Sequence, residues 1–312
     1  MENLERVNIN NSVQWILVRG NSAGPLVLQV QAGPGLPMIP EASTMQKLHH
    51  LEEQYLVAYW DQRACGKSFD KNADPTTINF SQLTDDVIAC TEHLLSKYKK
   101  KKAIVIGYSI GATVSLLAAA KFSHLFSQLF LVGIDIDIPY ANHYALEFAM
   151  KKARVANNQK LINQVLELGR TPILETKKFQ QRARLLTDFG GIKTGSTYNQ
   201  IMLSSMKNML FSNAYRLKDI QKTIQGMEFS QNALLPEMNS LNLFNQLKRV
   251  GVPVHFLQGK LDVIAPYDMA TKFYNYLQAE TKTFTDFEHS AHLPQYEEPG
   301  KFARFVKENI KP

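Results

Sequence analysis

Short apolar runs alternate with an amphipathic stretch along the first part of the chain. Residues 26–30, 55–60 and 103–106 are short runs of mostly apolar residues, a composition typical of strands buried on both faces. The stretch 80–97 has apolar positions at helical spacing instead. Strands that alternate with helices predict a mostly parallel sheet covered by helices on both faces. The reactive loops of such a sheet lie at the C-terminal ends of its strands.

The remaining elements extend this prediction to both ends of the chain. Residues 6–9 and 13–18 predict a hairpin, because a turn signal at 10–12 separates them. A helix is predicted around 41–54 and a strand at 129–132. The alternation resumes near the C-terminus with a strand at 252–257, a helix near 267–279, a strand at 282–287 and a last helix at 299–310.

The character of the sequence changes over residues 137–245, where strand-like runs are replaced by helical patterns. We interpret this segment as a helical cap inserted into an α/β core made of residues 1–136 and 246–312. The predicted cap helices cover 144–155, 161–168, 179–189, 201–211 and 241–247, with breakers at Gly169, Pro172, Gly190-Gly191, Gly195, Gly226 and Pro236.

Composition narrows the class of protein. The chain has 312 residues, of which 45% are hydrophobic and 20% charged, as in ordinary globular proteins. It has neither a signal-like N-terminus nor an apolar run of about 18 residues, so we expect a cytoplasmic protein with no membrane partner. The net charge of +7 is concentrated in a run at 97–102 that suits a helix C-terminus, and it comes with no nucleic-acid-binding motif. Cys65 and Cys90 predict neither a disulfide framework nor a metal site.

The candidate chemistry centres on Gly107-Tyr108-Ser109-Ile110-Gly111, which lies between an apolar strand and an Ala-rich helix. A serine in so sharp a turn takes a strained backbone conformation. Glycines two residues to either side remove Cβ atoms that would collide there. The turn lifts the Ser109 hydroxyl clear of the sheet, next to backbone N–H groups that can stabilise an oxyanion. This context predicts a nucleophile elbow.

A serine nucleophile needs a base and an acid that orients it, in the chain order Ser, Asp or Glu, His. Asp262 follows a core strand and is the favoured acid, although Asp135 or Asp137 after the preceding strand could take its place. Two histidines lie on the loop after the last strand, and spacing alone does not separate His289 from His292.

Several motifs together resemble the α/β-hydrolase superfamily over nearly the whole chain. The elbow, the Gly-x-x-Asp of 259–262 and Ser290-Ala291-His292-x-Pro294 carry the general resemblance. Gln31-Ala32-Gly33-Pro34-Gly35 and Asp61-Gln62-Arg63-Ala64-Cys65-Gly66-Lys67-Ser68 are similar to motifs of proline iminopeptidase-like members. The resemblance implies that His292 is the base, that the N–H groups of Gly33 and Ile110 form the oxyanion hole, and that Asp61 and Arg63 brace the loops.

The chain also departs from the proline iminopeptidase pattern. Gln31 and Ala32 replace the family's His-Gly, and the Trp-rich, Glu-containing cap motif that holds an ammonium group has no counterpart, since the two tryptophans are Trp15 and Trp60. The cap glutamates number no more than surface helices require. Apolar cap residues would suit a bulky apolar group; they include Phe148, Met202, Met206, Met209, Phe211, Met227 and Phe229.

The sequence therefore predicts a serine hydrolase that needs no cofactor or metal and acts on a small-molecule ester or lactone through Ser109, Asp262 and His292. A proline iminopeptidase-type aminopeptidase is the first alternative. A non-catalytic relative that binds a small ligand in the same pocket is the second.

Overall fold

A single sheet organises the computed structural model, which describes residues 1–310. Its strands are β1 (Glu2–Ile9), β2 (Ser12–Gly20), β3 (Leu26–Val30), β4 (Leu56–Asp61), β5 (Ala103–Tyr108), β6 (Phe126–Val132), β7 (Val254–Gly259) and β8 (Lys282–Phe287). The spatial order is β1-β2-β4-β3-β5-β6-β7-β8. β1 pairs antiparallel with β2 and β2 with β4, while all other neighbours pair in parallel.

Helices cover both faces of this sheet, and further helices form a segment that the chain inserts between β6 and β7. In chain order the helices are α1 (Ala42–His49), α2 (Phe80–Tyr98), α3 (Ile110–Lys121), α4 (Ile138–Val155), α5 (Gln159–Gly169), α6 (Thr176–Asp188), α7 (Tyr198–Phe211), α8 (Leu217–Met238), α9 (Tyr267–Tyr276), α10 (Pro294–Glu297) and α11 (Pro299–Asn309). Buried residues of α2, α3 and α9 join one apolar cluster with the sheet, and those of α1 and α11 join a second. β3, β4, β5 and β7 are buried along their whole length, as their mostly apolar runs predict. The predicted fold class, a mostly parallel sheet flanked by helices, is confirmed.

In the chain, helices α4 to α8 all come after β6 and before β7. These two strands are neighbours in the sheet. The two ends of this inserted segment are held side by side. The Ile138 N–H donates to the Leu241 carbonyl at 3.1 Å, and the Leu243 N–H donates to the Ile136 carbonyl at 2.7 Å. The division into a core of 1–136 and 246–312 and a cap of 137–245 stays a prediction. None of the helices in residues 1–310 is long and apolar enough to span a bilayer.

The main difference from the predicted elements is α8, a helix of 22 residues where the sequence predicted none. Gly226 and Pro236 both lie inside this helix, although the sequence predicts breaks at these two positions. Gly226 serves close packing, because a Cβ there would lie 2.6 Å from the Ala64 carbonyl oxygen. The helix predicted at 241–247 is only a short 3₁₀ turn at Leu243–Asn245.

Candidate active site

Ser109 occupies the single residue between β5 and α3. Its φ of 52° and ψ of −124° place it in a backbone region that residues other than glycine rarely adopt. The surrounding backbone fixes this conformation: the Ser109 N–H donates to the Val132 carbonyl, and the Ser109 carbonyl accepts the N–H of Ala112, both at 2.9 Å. Such strain costs about 1–3 kcal/mol and occurs at functional sites.

The glycines of the elbow are required by close backbone approaches. A Cβ at Gly107 would lie 2.6 Å from the Ala112 Cα, and a Cβ at Gly111 would lie 2.1 Å from the Gln31 carbonyl oxygen. Both distances are far below van der Waals contact, and both involve backbone atoms that cannot rotate away. The glycines therefore allow α3 to begin directly against the ends of the strands, as the sequence predicted.

His292 and Asp262 meet on the loops that follow β8 and β7. The His292 Nδ1 lies 2.8 Å from Asp262 Oδ2. The carboxylate is itself fixed: Oδ1 accepts the N–H groups of Ile264 and Ala265 at 2.8 and 2.9 Å, and Oδ2 accepts from Gln258 Nε2 at 3.0 Å. Because a carboxylate accepts a proton-bearing Nδ1, this contact leaves Nε2 of His292 as the unprotonated nitrogen of a neutral ring.

The other candidates for acid and base lie elsewhere. Asp137 caps α4, where its Oδ1 accepts the N–H of Tyr140 at 3.0 Å. His289 is exposed, whereas His292 is buried and contacts Asp262.

Asp135, the remaining alternative, contacts the side chain of Ser109. The Ser109 Oγ donates to Asp135 Oδ2 at 2.7 Å, and among the described residues it makes no hydrogen bond to His292. Asp135 follows β6, the strand next to β5, which brings its carboxylate to the elbow. Burial raises the pKa of this carboxyl, while the charge of His292 and the Ser109 hydrogen bond act against the rise. The Ser109 hydroxyl is thus hydrogen-bonded to the Asp135 carboxyl group, an arrangement that the sequence did not predict.

The pKa of His292 is set by opposing influences. Burial, the largest single influence, disfavours the charged imidazolium. The charge and hydrogen bond of Asp262, together with the charges of Asp135 and Glu297, outweigh it. The pKa therefore lies above its ordinary value of 6.5.

Gly33 and Ile110 lie beside Ser109 on the wall of one cavity. A Cβ at Gly33 would be 3.7 Å from the Ile110 Cβ, so the two residues are immediate neighbours. Ile110 is the first residue of α3, and its N–H has no partner within the helix. Neither N–H donates to another group in residues 1–310.

The cavity has a volume of about 260 Å³ and a mostly apolar wall. Its apolar lining includes Ile138, Ile173, Phe179, Ile201, Leu235 and Met238. Of the apolar cap residues predicted to line a pocket, only Met202 and Met227 do so among the described residues. No described glutamate of residues 137–245 reaches the wall; its acidic, basic and imidazole side chains are those of Asp135, Arg182 and His292. Arg182 was missed, because nothing in the sequence sets it apart from the other basic residues of α6.

The buried thiols offer no second nucleophile. Burial raises the pKa of Cys65 to about 12, and Gln31 Nε2 donates to its sulfur at 2.8 Å. Burial also raises the pKa of Cys90. The described residues contain no group of three or more His, Cys, Asp or Glu side chains that could hold a metal ion.

Asp61 and Arg63 hold loops, as the resemblance implied. Asp61 Oδ1 accepts the N–H groups of Met38 and Ile39 at 2.8 and 2.9 Å. Arg63 binds Asp86 through two nitrogens at 2.7 and 2.9 Å.

Comparison with known proteins agrees with this fold. A family described as alpha/beta hydrolase fold matches residues 33–299. A protein named probable aminopeptidase YbaC from Bacillus subtilis is 25% identical over 310 residues, covering 99% of this chain and 96% of its own. A proline iminopeptidase from Heyndrickxia coagulans is 26% identical over 289 residues, covering 92% and 90%. The solved structure of an esterase from Exiguobacterium antarcticum superposes with a TM-score of 0.65 at 16% identity, covering 98% of this chain and 99% of its own. The chain therefore belongs to the α/β-hydrolase family, as a member similar to proline iminopeptidases.

Proposed function

We propose that this protein is a serine hydrolase that cleaves carboxylic esters or lactones through an acyl-enzyme on Ser109. The observation that carries the proposal is the common location of three features. One apolar cavity is bordered by the strained Ser109 and by the buried His292, which is paired with a carboxylate. The same cavity is bordered by Gly33 and Ile110, whose backbone N–H groups have no partner in residues 1–310. A serine nucleophile needs this combination.

In the proposed reaction, the Ser109 side chain rotates about its Cα–Cβ bond, leaves Asp135 and donates its proton to Nε2 of His292. Asp262 keeps the ring in the required tautomer and stabilises the imidazolium. The oxyanion that forms when Oγ attacks the carbonyl accepts the N–H groups of Gly33 and Ile110. His292 then protonates the leaving alcohol, and a water molecule activated by the same ring hydrolyses the acyl-enzyme.

The division into a core and a cap belongs to this proposal. With residues 137–245 as a cap over a core of 1–136 and 246–312, the apolar wall of the cavity comes largely from the cap helices. That wall favours the apolar part of an ester or lactone, because burying apolar surface is favourable by about 25 cal/mol per Å².

An aminopeptidase is the second candidate, and two observations favour it. The curated relatives are named a probable aminopeptidase and a proline iminopeptidase. In addition, the Asp135 carboxylate on the cavity wall could accept a substrate ammonium group. The ammonium would then have to replace the Ser109 hydroxyl as the partner of Asp135.

The test measures hydrolysis of p-nitrophenyl butyrate and of proline p-nitroanilide by the unaltered protein and by Ser109→Ala. We expect ester hydrolysis that falls by about 10³-fold or more in the variant. Ser127→Ala is the matched control, since this exposed serine lies on the neighbouring strand β6. Preferred cleavage of the anilide would instead identify an aminopeptidase. An absence of both activities, with no labelling of Ser109 by a fluorophosphonate, would identify a non-catalytic ligand-binding protein.

A further inference from the structure

Arg182 is a buried cation without a partner. It lies on α6, is 6% exposed and lines the cavity that contains Ser109. None of its N–H groups donates to an acceptor in residues 1–310, and its Nε is fully enclosed. A guanidinium carries five N–H donors, and a buried one is ordinarily paired with a carboxylate or with several carbonyls.

The nearest anion does not supply that partner. Asp135 is on the same cavity wall, but no described carboxylate oxygen lies within 4.0 Å of the Arg182 nitrogens. Its Oδ2 is already the acceptor for Ser109. Burial lowers the pKa of Arg182 to about 10, and the charge of Asp135 opposes the fall, so the group is still a cation near neutral pH.

The rest of the wall limits what the cation can bind. A second buried polar residue, Gln231, accepts from Gln180 Nε2 at 3.1 Å through its Oε1, which leaves its own amide N–H groups as donors. The cavity wall carries one guanidinium and one carboxylate, Asp135, and the Asp135 charge repels a doubly charged ligand more strongly than a singly charged one. A singly charged, planar carboxylate therefore fits the site better than a phosphate dianion, and a guanidinium can bind it with two parallel hydrogen bonds.

We propose that Arg182 is a specificity residue that binds a carboxylate on the substrate, so that the preferred ester or lactone carries an anionic group besides its reacting carbonyl. This inference rests on the proposed hydrolase function, because it assigns the substrate class of the same cavity. The carboxylate belongs either to the acyl part or to the alcohol part of the substrate.

The first experiment compares charged and neutral esters. The p-nitrophenyl monoesters of adipate and pimelate carry the carboxylate on the acyl part, with p-nitrophenyl hexanoate as the neutral counterpart. 4-Butyryloxybenzoate carries it on the alcohol part, with phenyl butyrate as the counterpart. We expect kcat/KM for at least one charged ester to exceed that of its neutral counterpart about 10-fold to 100-fold, the range of a charge-assisted hydrogen bond.

The variant Arg182→Gln tests the residue. The preference for the charged ester should fall at least tenfold in this variant, mainly through KM, and Arg182→Lys should retain part of it. Arg154→Gln, an exposed arginine on the cap helix α4, is the control that should keep the full preference. A neutral ester preferred in both pairs, or an equal loss for charged and neutral esters in Arg182→Gln, would overturn the inference.

A binding measurement separates this inference from the proposed function. Two pairs of ligands are titrated by calorimetry, which needs no turnover, into Ser109→Ala and into Ser109→Ala/Arg182→Gln: monomethyl adipate with methyl hexanoate, and 4-butyryloxybenzoate with phenyl butyrate. Tighter binding of a charged ester that is lost in the double variant supports the carboxylate site even if no ester is hydrolysed. Equal binding within both pairs to Ser109→Ala overturns the site even if ester hydrolysis is found.

Discussion

Asp135 is the residue that fixes the position of the Ser109 hydroxyl, the proposed nucleophile. Its carboxylate accepts the Ser109 hydroxyl and also raises the pKa of His292 through its charge. The two effects favour different states. The hydrogen bond holds the hydroxyl away from the ring, while the charge stabilises a positive ring, the form that exists after proton transfer.

We therefore expect Asp135→Asn to change the pH profile of ester hydrolysis. The base must be neutral, so kcat/KM rises with pH through the pKa of His292. Burial lowers the pKa of His292, and the negative charge of Asp135 is one of the influences that raise it. Removing that charge should therefore lower this pKa. The acid limb of the profile should then move to lower pH, and the variant should keep a larger fraction of its maximal rate on the acid side.

Asp137→Asn is the control for this prediction. Asp137 caps α4, and asparagine is an equally good cap, so the helix should be unaffected. Its acid limb should coincide with that of the unaltered protein. An unmoved limb in Asp135→Asn would show that the charge of Asp135 does not affect the pKa of His292.

Helix α8 is the element that ties the inserted segment to the sheet. The Lys67 Nζ, on the loop after β4, lies 2.8 Å from Asp219 Oδ2 in the first turn of α8, and both side chains are at least nine-tenths buried. The ammonium also lies 4.8 Å from the centre of the Trp15 ring, within the range of a cation–π interaction. The hydroxyl of Tyr215, just before α8, donates to Asp61 at the end of β4.

Removing one partner of this ion pair should be costly. In Lys67→Met the Asp219 carboxylate is left buried and unpaired, and we expect the free energy of unfolding to fall by about 3–5 kcal/mol. Lys121→Met is the matched control. The Lys121–Asp85 pair is exposed, with side chains 47% and 49% accessible, so its loss should cost less than about 1 kcal/mol.

Urea unfolding of the two variants measures the difference. The double variant Lys67→Met/Asp219→Asn should recover part of the loss, because the charge left behind is removed as well. Equal midpoints for Lys67→Met and Lys121→Met would contradict the prediction.

α8 and Arg182 also mark the limits of prediction from this sequence. Strands buried on both faces can be predicted from runs of mostly apolar residues, and the elbow from a motif between a strand and a helix. The sheet and the position of Ser109 between β5 and α3 were therefore predictable. A glycine predicts a break in a helix. At Gly226 the glycine instead allows close packing against the Ala64 carbonyl, a tertiary contact that the sequence does not show. The burial of Arg182 likewise depends on which face of α6 turns to the cavity, and a tertiary contact decides that.

On the scale of the whole molecule, the core and the inserted segment share one apolar cluster. Leu234, Leu235 and Met238 of α8 belong to the same cluster as Val105 of β5 and Leu129 of β6. Separating the inserted helices from the sheet would expose apolar surface on both sides.

We therefore expect core and inserted segment to unfold together. A single calorimetric transition should be seen, with calorimetric and van't Hoff enthalpies in agreement. Lys67→Met should lower the temperature of that one transition rather than create a second. Two resolved transitions, the earlier one accompanied by loss of helical signal alone, would contradict this.

The hydrogen bonds that join Ile136 to Leu243 and Ile138 to Leu241 have a consequence for how such a protein can diversify. A segment whose entry and exit are adjacent can be exchanged for another of different length without moving the strands on either side. The loops that carry Ser109, Asp262 and His292 would keep their positions while the wall of the cavity is replaced. Relatives with one reaction chemistry and unrelated substrates are the expected outcome of such grafting.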